Sequence, residues 1–219
     1  AIYQLAAKDL VPVTLELGGK GPCVVEPDAD LKVAARRIAL GTFANAGQMC
    51  VCPDYLLVHA SVKDKLIGYI KESTAAFYTN DPSEAYGYGR IINEKRFDKL
   101  VSYLSQGDIV LGGQYNRSTL YIAPTILENV SLDAPVMQEE IFGPILPVFT
   151  FTRDEEAIEI INRNPNPLSF YIFTGSHKKE ESWIEKIQFG AGCVNNAAWH
   201  FSNHHLPFGG IGYSGIGAY

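Results

Sequence analysis

Pro22-Cys23-Val24-Val25-Glu26, the stretch from Asp30 to about Ala44, and Tyr55-Leu56-Leu57-Val58-His59 follow one another in an order that decides the fold class. The first segment is β-like, and the last is a short apolar run of the kind that forms a buried strand. Between them Asp30 begins a helical pattern, with Val33, Ala34, Ile38 and Ala39 on one side. Strands joined through intervening helices imply a mainly parallel sheet.

The same alternation continues outward. Val11 to Leu17 is β-like, Ser61 is placed to cap a helix from Val62 to about Phe77, and Asn80-Asp81-Pro82-Ser83 reads as a loop. A helix is expected from Asn93 to Leu104, then strands at Asp108 to Leu111, Tyr121 to Leu127 and Ile145 to Phe151. Thr152 or Asp154 should cap a helix running through Asn162. A strand from Leu168 to Thr174, a helix from about Lys178 to Gln188 and a short strand from Gly192 to Asn195 close the series. The expected fold is α/β, a three-layer, mainly parallel twisted sheet with helices on both faces. In open sheets of this kind, sites gather where loops leave the carboxyl ends of strands, and Glu16 to Gly19 and Gly143-Pro144 both lie at strand margins.

Composition narrows the function. With 47% hydrophobic and 19% charged residues the chain is neither disordered nor fibrous. A formal charge of −6, with basic residues never longer in a run than a pair, argues against nucleic acid as a partner. No apolar segment reaches the roughly 18 residues of a membrane span. Cys23, Cys50, Cys52 and Cys193 do not read as a disulfide framework or a zinc site, which suits a reducing cytoplasm. The first residues lack the features of a signal peptide, and the absence of an initiating Met leads to the expectation that the chain starts inside a longer protein.

Phe43-Ala44-Asn45-Ala46-Gly47-Gln48-Met49-Cys50 places a cysteine behind a small, polar, Gly-containing stretch at the end of a helical pattern. A thiolate there can be held out of the core and reached by a substrate, so Cys50 is the candidate nucleophile; a buried structural cysteine is the alternative. Asn45 is a candidate for shaping the loop, or for a plain turn or cap. Upstream, Leu15-Glu16-Leu17-Gly18-Gly19-Lys20 puts a lone carboxylate between two leucines before a Gly-Gly turn. An apolar setting raises a carboxyl pKa and makes Glu16 usable as a general base near neutrality.

These two segments, with Met137-Gln138-Glu139-Glu140-Ile141-Phe142-Gly143-Pro144 and Leu206-Pro207-Phe208-Gly209-Gly210-Ile211-Gly212-Tyr213-Ser214-Gly215, resemble the aldehyde dehydrogenase superfamily, in the family's order across nearly the whole chain. Cys50-Val51-Cys52-Pro53-Asp54-Tyr55 and the closing Gly212 to Tyr219 look most like its class 3 branch, which includes benzaldehyde and fatty-aldehyde dehydrogenases. The resemblance implies the catalytic domain of that family. Residues 1–19 would end the dinucleotide-binding domain, 20–206 form the thiol-bearing domain, and 207–219 a Gly-rich return segment.

It also implies NAD or NADP as cofactor and a definite chemistry. Cys50 would add to the aldehyde as a thiohemiacetal, and loss of hydride would leave a thioester. Glu16 would then activate water to release a free acid. The backbone N–H of Cys50 is a candidate oxyanion donor. Glu140 would hydrogen-bond the nicotinamide ribose and Phe142 would pack near the nicotinamide ring, with Leu17 and Gly18 also on the cofactor side; a solvated turn is the plain reading of Glu139 and Glu140. Class 3 relatives are commonly dimers, so a homodimer of the full-length protein is implied.

Gly210 to Gly215 also fits G-x-G-x-x-G, but it follows a Pro-Phe turn and no helix or acidic ribose partner comes after it. A site wall or tight packing turn suits it better. His200, His204 and His205 cluster without the helical carboxylate a zinc site would want, so no metal is expected, and Trp199-His200-Phe201 instead reads as the mouth of a substrate tunnel favouring aromatic or medium-chain aldehydes. No Cys-His-Asn order supports a thiol peptidase. A catalytically incomplete piece with a packing or subunit-contact role is the alternative from a different class.

Overall fold

The computed structural model describes residues 2–219. Helix α1 (Ile2–Lys8) leads to strand β1 (Leu15–Glu16), followed by β2 (Pro22–Val25), α2 (Leu31–Phe43) and β3 (Tyr55–His59). Helices α3 (Lys63–Tyr78) and α4 (Glu94–Tyr103) precede β4 (Asp108–Leu111), β5 (Tyr115–Asn116), β6 (Tyr121–Ile122) and β7 (Thr125–Glu128). The rest is α5 (Pro135–Gln138), β8 (Ile145–Phe151), α6 (Asp154–Asn162), β9 (Ser169–Phe173), α7 (His177–Lys186), β10 (Ala191–Val194) and β11 (Gly215–Ile216).

Seven strands form the central sheet in the order β10-β9-β2-β3-β8-β7-β4, and its neighbours pair in parallel except β4 with β7. Helices flank it, which is the mainly parallel α/β architecture expected. Inner strands β2 and β9 are buried at every residue, whereas the edge strands β4 and β10 are not. Strands covered on both faces are apolar nearly throughout, with Ser169 at the start of β9 the polar exception. Trp183 of α7 packs against Phe151 and Phe170, and its indole N–H donates to Glu26 Oε1 at 2.7 Å, satisfying two groups that burial would otherwise penalise.

Several local expectations change. Asp30 caps α2 through Lys32 N and Val33 N, but the buried face is Ala34, Ala35, Ile38 and Ala39, with Val33 exposed. At about 100° per residue these four span about 140° of the helix, and Val33, about 100° beyond Ala34, falls outside that face. Ser61 does not cap α3: His59 Nδ1 accepts from Ser61 N at 3.3 Å in a short turn, and the helix begins at Lys63. Neither Thr152 nor Asp154 caps α6; Arg153 occupies that position, and Glu156 reaches back to accept from Thr152 N at 2.9 Å. The run from Val11 contracts to Leu15–Glu16. The strand from Tyr121 breaks at Ala123-Pro124, where proline has no N–H for a ladder.

The largest correction concerns where the site segments sit. Gly18-Gly19-Lys20 enters β2, the Cys50 turn enters β3, and Glu140 to Pro144 enters β8. Strands β2, β3 and β8 are parallel neighbours, so these segments gather at their amino ends rather than at the carboxyl ends. Glu16 lies on β1, which pairs antiparallel with β11 in a separate two-stranded sheet, Glu16 opposite Gly215.

Candidate active site

The buried face of helix α2 ends on Gly41, Thr42 and Phe43, and beyond it the chain turns sharply. Asn45 (φ 52°), Ala46 (φ 52°) and Gly47 (φ 70°) are three successive residues in the left-handed region, which costs roughly 1–2 kcal/mol for an alanine and little for glycine. Gln48 holds the strained turn. Its Nε2 donates to Asn45 O at 3.0 Å and to Arg90 O at 2.9 Å, its Oε1 accepts from Ile92 N at 3.0 Å, and Asn45 Nδ2 returns a bond to Gln48 O at 3.2 Å. Gly47 packs against Gly143-Pro144, where any Cβ would collide with the Gly143 carbonyl. On the far side, Tyr171 donates to Val51 O at 2.5 Å and Cys52 N to Met49 O at 3.0 Å.

Val51 and Cys52 are thereby buried while Cys50 is left half-buried. Burial pushes the Cys50 thiol above its ordinary value, the Glu140 and Glu16 carboxylates add to that, and the residue's own backbone N–H partly opposes it. The thiol is therefore mostly protonated at neutral pH, and attack on a carbonyl must be coupled to removal of that proton. Cys52 is pushed up to about 12 by burial and is the inert neighbour.

Glu16 is exposed, and Leu17 is 61% exposed. The apolar setting expected from the two leucines is therefore absent, because alternate residues of a strand point to opposite faces and leave the carboxylate between leucines that do not wrap it. Tyr219 shares a cavity with Glu16, whose carboxylate raises that phenol above its ordinary value.

Glu16, Cys50 and Phe142 line one cavity of about 470 Å³, walled further by Phe201, Phe208 and Tyr219. Leu17, Gly18 and Glu140 line a second cavity of about 360 Å³. Glu139 and Glu140, side by side in sequence, take different roles. Glu139 pairs with Lys99 at 2.5 Å and accepts from Tyr103 at 3.0 Å, a partly solvated structural contact. Glu140 is raised to about 7 by burial and by Asp54, against the pull of Arg96 and Lys20. Gly18, at φ +70°, faces it so closely that a Cβ would stand 2.7 Å from Oε2. A half-buried carboxylate beside a side-chain-free backbone is a cradle that fits a vicinal diol, which one carboxylate can accept from twice, as the ribose of a dinucleotide requires.

Of the aromatic mouth, Phe201 lines the cavity, but Trp199 does not and is 47% exposed. His200 is buried behind the wall, stacked on Phe208 at 6.1 Å and 3.7 Å from Cys193 Sγ. Among the described residues no three His, Cys, Asp or Glu side chains converge as a metal site would require. Sequence reasoning missed Lys20, Asp54, Arg96, Gln48 and Tyr219. All but Arg96 stand inside the quoted motifs, and for Lys20 and Asp54 a charge amid apolar residues was the available signal.

The sequence model described as the aldehyde dehydrogenase family matches residues 1–219. Among curated relatives, 4,4'-diaponeurosporen-aldehyde dehydrogenase of Staphylococcus aureus is 47% identical over 100% of the chain and 48% of its own length. The dimeric NADP-preferring aldehyde dehydrogenase of Rattus norvegicus is 45% identical, with the same shares of 100% and 48%. A solved structure, the substrate-bound state of Staphylococcus aureus AldH, superposes with a TM-score of 0.96 at 46% identity, covering 100% of this chain and 48% of that one. The chain thus spans about half the length of the relatives it matches. On the match over its whole length, this chain belongs to the aldehyde dehydrogenase family.

Proposed function

We propose that the full-length protein is an NAD(P)-dependent aldehyde dehydrogenase that converts an aldehyde to a free carboxylic acid, with Cys50 as nucleophile and Glu16 as base. The observation that carries this reading is that both side chains open onto the same cavity. Sulfur adds to the carbonyl carbon as the thiol proton passes to solvent, giving a tetrahedral thiohemiacetal oxyanion on Cys50. The Cys50 N–H, which lies against its own sulfur, is placed to donate to the oxyanion formed on the adjoining carbon. NAD(P)+, when bound, supplies the hydride acceptor. Leu17, Gly18 and Glu140 would hold its ribose side and Phe142 would pack at the ring; collapse of the oxyanion with loss of hydride from the thiohemiacetal carbon to that acceptor leaves a thioester on Cys50. Glu16 takes a proton from water, whose oxygen attacks that thioester, and the acid departs as the thiol is restored.

Three aromatic side chains, Phe142, Phe201 and Phe208, support an aromatic or medium-chain aldehyde as substrate. The separate β1–β11 sheet supports dividing the chain into an opening segment 1–19, a thiol-bearing domain 20–206 and a return segment 207–219. A homodimer is proposed from the name of the rat relative. A cytoplasmic setting is proposed from four free cysteines. No described helix is long and apolar enough to cross a membrane.

The test is mass spectrometry of full-length enzyme quenched during turnover of benzaldehyde or hexanal. An acyl adduct on Cys50 is expected, absent from Cys50→Ala. Turnover that persists in Cys50→Ala would refute the scheme.

A further inference from the structure

Lys20 follows Glu16 by four residues, and Asp54 follows Cys50 by four. The two form an ion pair, with 3% and 6% of each residue exposed. Lys20 Nζ also donates to Val136 O at 2.7 Å, and Asp54 Oδ1 accepts from Ile141 N at 2.9 Å. One buried pair is thus tied to both ends of the segment 136–141 that carries Glu140. The backbones behind the other two site residues are joined beside it, Asp54 N donating to Gly21 O at 2.8 Å. From the opposite side, Arg96 of α4 donates to the carbonyls of Glu140 and Ile141.

We infer that Lys20 and Asp54 are positioning residues: their ion pair fixes the register of the nucleophile turn, the base-bearing strand exit and the Glu140–Phe142 segment. The roles of those three segments rest on the proposed function. Burial works against both charges, pulling the lysine down and the aspartate up. A buried pair adds little net stability over well-packed apolar residues, so its use lies in directionality. The pair joins a donor with three hydrogens to an acceptor with two oxygens, so each partner can hold the other and still grip a backbone group from a third segment. An apolar pair of the same volume would fill the space and leave Val136 O and Ile141 N without these partners.

The experiment uses full-length enzyme and three variants: Asp54→Ala, Lys20→Met, and the double variant Lys20→Met with Asp54→Asn, which is neutral and keeps an acceptor for Ile141 N. The readouts are NADH and NADPH dissociation constants by fluorescence, iodoacetamide alkylation of Cys50 without cofactor, and melting temperature. Asp54→Ala and Lys20→Met should weaken dinucleotide binding and change Cys50 alkylation, each roughly tenfold. The double variant leaves no unpaired buried charge but has neither the ion pair nor the bond to Val136 O, so both readouts should stay about tenfold altered even where its melting temperature recovers. Binding and alkylation that simply follow melting temperature across the three variants would overturn the inference. So would single variants that match wild type. If the single variants fail to fold, a folded double variant near wild type overturns it, and one weakened by about tenfold or more supports it. Wild-type enzyme that binds neither dinucleotide would defeat the proposed function, and the alkylation arm alone would then decide the positioning role.

Discussion

Gly18 and Glu140 are packed so that a Cβ on the glycine would stand 2.7 Å from the carboxylate oxygen Oε2, while the glycine backbone is at φ +70°. Alanine at this position therefore meets two obstacles, a strained backbone costing roughly 1 kcal/mol and a displaced carboxylate. Gly18→Ala should weaken NADPH binding about tenfold and leave Cys50 alkylation in cofactor-free enzyme unchanged. Fluorescence titration checks the first and peptide mapping the second. Unaltered binding would remove Glu140 from the cofactor side.

Burial raises the Glu140 carboxyl to about 7, so its charge changes close to neutrality. Only the carboxylate accepts from both hydroxyls of a diol, so affinity should rise between about pH 6 and pH 8 and fall off as acidification passes the folded-state pKa. Glu140→Gln should flatten that profile. The same shift bears on stability with a fixed sign. With the folded value raised above the ordinary 4.5, the contribution is fully present below 4.5 and is lost as pH rises through about 7. Calorimetry of wild type against Glu140→Gln over that window measures it.

The parallel sheet was legible because its strands declare themselves one by one: Tyr55 to His59 is a strand with the expected bounds, and Asp30 caps α2 as read. The pairing of Glu16 with Gly215 was not legible, since two-residue strands about 200 positions apart have no periodicity to show. Cys50 and Glu16 could be singled out by residue type and setting. Their supports could not, because Lys20, Asp54 and Arg96 act through backbone atoms of other segments, and sequence does not say which carbonyl a buried cation will meet. The amino-end location escaped for a related reason: motifs show which strand they adjoin, but a margin alone does not say which end of the assembled sheet it faces.

Cys50 alkylation should accelerate with pH, because burial and two neighbouring carboxylates hold the thiol above its ordinary value. The thiolate fraction rises about tenfold per pH unit below the pKa, so rates near pH 7 should be modest and those near pH 9 much higher. Cys23 is fully buried and also shifted upward, and should remain unlabelled in the folded protein. Equal labelling of Cys50 and Cys23 would mean that the turn does not present its sulfur selectively.

Glu16→Gln preserves the shape of the cavity and removes the group that can take a proton from water. In full-length enzyme it should retain a pre-steady-state burst of NAD(P)H and lose roughly a hundredfold in steady-state turnover, as acyl-enzyme accumulates. Stopped-flow absorbance at the reduced nicotinamide band separates the two phases. A wild-type steady-state rate would pass the role of base to another residue.

Gln48 offers the sharpest test of how the nucleophile turn is held. Its side chain meets two carbonyls, Asn45 O and Arg90 O, and one N–H, that of Ile92. Two donors and one acceptor are needed, and an amide supplies both kinds whereas a carboxylate supplies only acceptors. Gln48→Ala leaves all three groups without the side chain and should cost about 1–3 kcal/mol, at about 1 kcal/mol per net bond. Gln48→Glu is nearly isosteric, yet it sets oxygen against two carbonyls and should destabilise at least as much wherever the new carboxyl is ionised. Denaturant unfolding of both variants, with Cys50 alkylation on each, decides between shape and hydrogen-bond polarity. A Gln48→Glu protein as stable as wild type would show that the turn keeps its left-handed course without this side chain's donors.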